Sequence, residues 1–167
     1  MDNKELISSV KSILARLHSF GVSREDVRNL LVLLFLLRWL RDEMSSFAEY
    51  NGESESLKLA DRLNRLFSSD IRFREIDQHI DESLSLLRHS VKVEGLSELD
   101  FSSKYHLIKD KRVVIEALYW FNQWGGLRLD RRKDISQLFE ILLQETRTPQ
   151  TTQFSSSKLL SQLVVAI

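Results

Sequence analysis

Apolar residues recur in steps of three and four along most of the chain, a period that belongs to helices rather than strands. Leu6, Val10, Ile13, Leu17 and Phe20, with Ile7 and Leu14 beside them, define one face of a first helix over about Asn3 to Phe20. Gly21 ends it. Ser23 opens the next helix, with Asp26 three residues on at a capping-box spacing. That second helix is expected to run to about Tyr50, where Asn51-Gly52 stops it. From Leu30 to Leu37 it is apolar all round, so other helices must surround it. A third helix is expected over Ser54 to Phe67, with Leu57, Ala60, Leu63 and Leu66 on its stripe. A fourth follows, capped by Asp70, with Phe73, Ile76, Ile80, Leu84, Leu87 and Val91 on its apolar face.

The segment Glu94 to Lys109 has weak patterning and reads as short turns. The fifth helix, about Asp110 to Trp124, uses Val113, Val114, Ala117, Leu118 and Phe121, and Gly125-Gly126 closes it. The sixth, about Asp134 to Glu145, uses Ile135, Leu138, Phe139, Leu142 and Leu143. A polar loop follows over Thr146 to Ser157. A last amphipathic segment then carries Leu159, Leu160, Leu163, Val164 and Ile167. The expected fold is all-α, a single helical bundle of about six to seven helices. Residues 1–150 form the helical domain. Residues 151–167, with an apolar stripe and no cap, are expected to begin a further domain that covers them.

Composition sharpens this picture by exclusion. Of 167 residues only 5 are Gly and 1 is Pro, too few for the tight turns of an all-β fold. Cys is 0, which removes disulfides, thiolate zinc sites and cysteine nucleophiles. Lys+Arg and Asp+Glu are 24 each, so no bulk charge draws a nucleic acid or a membrane. The N-terminus carries neither a signal core nor an Arg-rich transit pattern, and the Leu30–Leu37 run is far shorter than the roughly 20 residues of a membrane span. The expected location is cytoplasmic.

Candidate chemistry is sparse. His18, His79, His89 and His106 share no metal-ligand spacing and read as solvent-facing helix residues. No Gly-rich phosphate loop and no nucleophile elbow occurs. The turn Phe20 to Val27 resembles that of a helix-turn-helix, but the helix it opens runs into the Leu30–Leu37 core segment and reads as a helical hairpin. Trp39, Trp120 and Trp124 have apolar neighbours at helical spacing and read as core. Arg128, Arg131, Arg132 and Lys133 cluster between the fifth and sixth helices, a small basic loop able to hold phosphates, with Asp130 and Asp134 cancelling part of the charge. Lys109, Lys111 and Arg112 stand at the other end of the fifth helix.

Two stretches carry a resemblance. Leu31 to Asp42, Leu-Val-Leu-Leu-Phe-Leu-Leu-Arg-Trp-Leu-Arg-Asp, resembles the "LLFLKxLSD" helix near the start of type I restriction–modification methyltransferase subunits. Asp134 to Glu145 is similar to their "DxxGxxYExLL" helix, and Thr152 to Ser157 followed by Leu159 to Val164 stands where that family has a Gly-x-[Phe/Tyr]-x-Thr-Pro loop and an "LVxLMV" helix. Phe154 matches the loop. Ser156 replaces its Thr, Ser157 its Pro and Thr152 its Gly.

The resemblance implies the N-terminal helical domain of an adenine-specific DNA methyltransferase, ending before the catalytic domain. The family's Asn-Pro-Pro-Tyr motif does not occur in the chain. The resemblance further implies S-adenosylmethionine as the parent's cofactor, with Phe154 and Ser156 beside it. It implies DNA, a specificity subunit, a restriction subunit and a second methyltransferase subunit as partners. The alternative on the residues themselves is a free-standing helical protein-interaction module with no catalytic role.

Overall fold

A computed structural model describes residues 3–51, 54–90, 105, 108–123 and 132–145. The helical pattern of the sequence is realised as an all-α bundle. Its helices are α1 (Asn3–His18), α2 (Arg24–Asn51), α3 (Ser54–Leu66), α4 (Ile76–Ser90), α5 (Lys111–Asn122) and α6 (Arg132–Glu145). A short 3-10 turn, Phe73–Glu75, leads into α4. No described helix is long and apolar enough to cross a membrane.

The ends of the helices follow local chemistry. Gly21 takes φ +76° directly after α1, and its N–H donates to the His18 carbonyl. Only glycine adopts that left-handed conformation without strain. Ser23 caps α2: its hydroxyl accepts from the Asp26 N–H at 3.1 Å and donates to the Asp26 carboxylate at 2.6 Å. Asp110 caps α5 by accepting from the Arg112 N–H. The Arg112 guanidinium returns to the same carboxylate and holds it below the usual carboxylate range.

α2 is the central element. It packs against α1, α3, α5 and α6, while α3 and α4 form a hairpin on one side of it. This is why the run from Leu30 to Leu37 is apolar all round: Leu30, Leu31, Leu33, Leu34, Phe35 and Leu37 are all buried. Fully burying such side chains is worth roughly 1.5–3 kcal/mol each. Phe35 meets Phe139 of α6 with ring centroids 5.2 Å apart. Trp39 and Trp120 are core residues, as their neighbours predict. Trp124 lies outside the described residues.

Two expectations for α4 are corrected. The sequence pattern places Phe73 on its apolar face, yet it is 52% exposed on the 3-10 turn. Periodicity gives a residue's angle about the helix axis, not whether a neighbouring helix reaches that level. Asp70 does not cap the helix: the residue before the 3-10 turn is Arg72, and no side chain caps it. The expectation of solvent-facing histidines also fails for His79, which is buried beside Ile76 and Ile80.

Candidate functional site

The residues singled out for DNA and cofactor contact fall mostly outside the described residues. Arg128, Arg131, Phe154 and Ser156 lie there, as does the apolar segment Ser157 to Ile167. Arg132 and Lys133 form the first turn of α6, with only their backbone described. His89 and His106 are likewise outside the described side chains. Among the described residues no cluster of three or more His, Asp or Glu could hold a metal ion.

The helical-hairpin reading of the first turn is borne out. Val27, Leu30 and Leu31 of α2 are buried, so that helix enters the core rather than presenting a groove-reading face. The cations at the start of α5 are engaged within the fold's own contacts. Lys111 Nζ lies 2.8 Å from the Asp77 carboxylate, and Arg112 is spent on Asp110 and on the Phe20 ring 5.4 Å away.

Three polar arrangements do form. The first is centred on Arg38, which is buried within the α2 run. Its Nε donates to Asp42 at 3.1 Å. Its Nη1 donates to the Phe121 carbonyl and to Asn122 Oδ1, at the last turn of α5. The Phe67 ring lies beneath the guanidinium at 5.5 Å. One side chain thus ties α2 to the end of α3 and adds a donor to a carbonyl in the last turn of α5. Next to it, Arg41 donates to Asn64 on α3. Burial, and then the neighbouring Arg38, lower the pKa of Arg41 from its ordinary value.

The second arrangement joins α4 to α5. The Tyr105 hydroxyl donates to Asp77, the residue after Ile76 at the start of α4, and Lys111 pairs with the same carboxylate while lying 4.2 Å from the centre of the Tyr105 ring. Burial, and then the hydrogen bond to Asp77, push the Tyr105 phenol well above the usual tyrosine value. The Tyr105 hydroxyl and Lys111 thus converge on one carboxylate and clasp α4 to the start of α5.

The third is an open groove of about 590 Å³ between α1 and α5. Ser8, Ser9 and Ser12 line its α1 side, and Tyr119 and Trp120 its α5 side. The Trp120 indole donates to Ser9 at 2.9 Å, and Arg16 pairs with Glu116 at one edge. Tyr119 is 62% exposed.

Sequence reasoning missed Arg38 and Tyr105 as organising residues. Arg38 was visible as the charge that ends the apolar run, and a charge at that position of a surrounded helix must find partners inside the fold. Tyr105 had no signal, because its segment has no periodicity. No protein-family model, no curated protein and no solved structure matches the chain.

Proposed function

We propose that the chain is the N-terminal helical domain of an adenine-specific DNA methyltransferase of the type I restriction–modification kind, helping to enclose DNA and to contact partner subunits. One observation carries the reading. The two stretches that resemble that family, distant in sequence, lie on α2 and α6 and pack against each other through Phe35 and Phe139. Motifs that support one another in space are a stronger sign than either alone. In this reading Arg128, Arg131, Arg132 and Lys133 touch DNA phosphates. Phe154 and Ser156 border S-adenosylmethionine bound by the parent protein. The specificity subunit, the restriction subunit and a second methyltransferase subunit are the protein partners. The domain contributes no catalytic group of its own.

The open α1–α5 groove and its exposed Tyr119 favour a second reading, a helical protein-interaction module with no enzyme attached. Capture of the native protein with an antibody against this chain separates the two. The first reading expects a protein much larger than 167 residues that transfers methyl groups from S-adenosylmethionine to adenine in duplex DNA. Recovery of the 167-residue chain alone, with no methyl transfer, supports the interaction module.

A further inference from the structure

The groove between α1 and α5 lies near the place where the chain leaves α6. Glu145, the last residue of α6, pairs with Lys11 in the middle of α1 at 3.5 Å, so the segment from Thr146 onward sets out from α1. Residues 146–167 lie outside the described residues. Their sequence carries Leu159, Leu163 and Ile167 four apart, with Leu160 and Val164 beside them, the anchor spacing of a helix that lies in a groove. Among the described residues the exposed large apolar side chains are Leu57, Phe73 and Tyr119. Leu57 and Phe73 stand on α3 and the turn after it, whereas Tyr119 stands on α5, a main neighbour of α1.

The groove has the shape for a further helix. Its α1 wall is made of small side chains, Ser8, Ser9 and Ser12, which let another backbone approach closely. The Trp120 indole holds Ser9 at 2.9 Å, so that wall is fixed before anything binds. Reach is no obstacle. Extended, Thr146 to Lys158 spans about 40 Å, against a helix diameter of about 10–12 Å, and so passes around α1. We propose that Leu159 to Ile167 seats as a helix in the α1–α5 groove, with its apolar stripe against Tyr119 and the serine wall. The seat rests on neither reading of the function. An outside partner for this groove has first to displace the chain's own segment.

Amide hydrogen exchange and a paramagnetic label test this on the 167-residue chain. The amides from Leu159 to Ile167 are expected to exchange about ten-fold or more slowly than in Ser12→Trp, which fills the groove, and than in Tyr119→Ala, which removes its exposed ring. Both positions are exposed, and unchanged thermal melts check that the bundle is kept. The sequence has no cysteine, so Ala15→Cys takes a nitroxide at one exposed position of α1 outside the groove. The label is expected to broaden the signals of the same amides, less so with Ser12→Trp added, and equally when the labelled chain is diluted with unlabelled chain. Exchange as fast in the wild type as in both variants overturns the proposal. Slow exchange that survives both variants also overturns it, because the segment is then covered elsewhere. Broadening that falls on dilution overturns it and assigns the groove to a second copy. Methyl transfer by the captured native protein has no bearing on the seat, so the seat and the methyltransferase reading fail separately.

Discussion

α2 and α4 both bury an apolar face, but they are held in different ways. The middle of α2 packs against α1, α3, α5 and α6, with only Val32 and Leu36 of the Leu30–Leu37 run partly in water, and its contacts are almost wholly apolar. α4 packs mainly on α3 and is joined to α5 through charged and hydroxyl groups around Asp77. α4 also buries His79 and Ser83 one turn apart, and among the described residues His79 Nδ1 and Ser83 Oγ have no hydrogen-bond partner, against Trp39 Nε1 alone on α2. Each such orphaned group costs about 1–3 kcal/mol. The α2 region is therefore expected to be the last part of the bundle to open, and the α4 region the first.

The largest effect expected is at the polar exception within α2. Arg38→Ala removes the nearer of the two arginines that pair with Asp42 and the hydrogen bonds to the end of α5, and is expected to destabilise by about 3–5 kcal/mol in denaturant melts. Adding Asp42→Ala should cost less than the sum of the two single changes, because the two side chains share one ion pair. Strict additivity would mean that the ion pair is not what Arg38 is there for.

Leu34→Ala and Leu37→Ala are each expected to cost about 2–5 kcal/mol, the range for emptying a core site. Losses below about 0.5 kcal/mol would remove α2 from the centre of the fold.

The α4 side should respond more mildly and differently to pH. Tyr105→Phe is expected to cost about 1–2 kcal/mol, one hydrogen bond to a charged acceptor whose other partner, Lys111, remains. The folded Tyr105 holds its proton above the ordinary tyrosine value of about 10. Its contribution is therefore complete below that pH and is lost as pH rises beyond it. Melts at alkaline pH should show this loss in the wild type and not in Tyr105→Phe. The Asp110 carboxylate has the opposite sign: lowered in the fold, it contributes above the ordinary carboxylate range and is lost as acid protonates it. At the small end, Phe73→Ala should change stability by about 0.5 kcal/mol or less, since its ring is already half in water.

The same contrast explains what was legible in the sequence. The Leu30–Leu37 run, the Ser23–Asp26 cap and the stop at Gly21 are local or periodic signals, and the structure realises all three. On the α4 side the decisive contacts join residues far apart in the chain. Asp77 meets Tyr105 and Lys111 through tertiary geometry that no spacing rule encodes. Phe73 and His79 were misassigned in opposite directions. Periodicity placed the ring on a face that no helix covers, and polarity placed the imidazole in water although its neighbours on the helix are buried. Of the candidate site, Arg128, Arg131, Phe154 and Ser156 were read from local charge and motif spacing, and they lie outside the described residues. The role proposed for them rests on the resemblance carried by the sequences of α2 and α6.

Native-state hydrogen exchange across a denaturant series compares the two regions directly. The account predicts that amides from Leu30 to Leu40 exchange only through global unfolding, with its full denaturant dependence. Amides from Ile76 to Leu84 should open at lower free energy and with weaker denaturant dependence. Equal opening energies in α2 and α4, or earlier opening of α2, would contradict it.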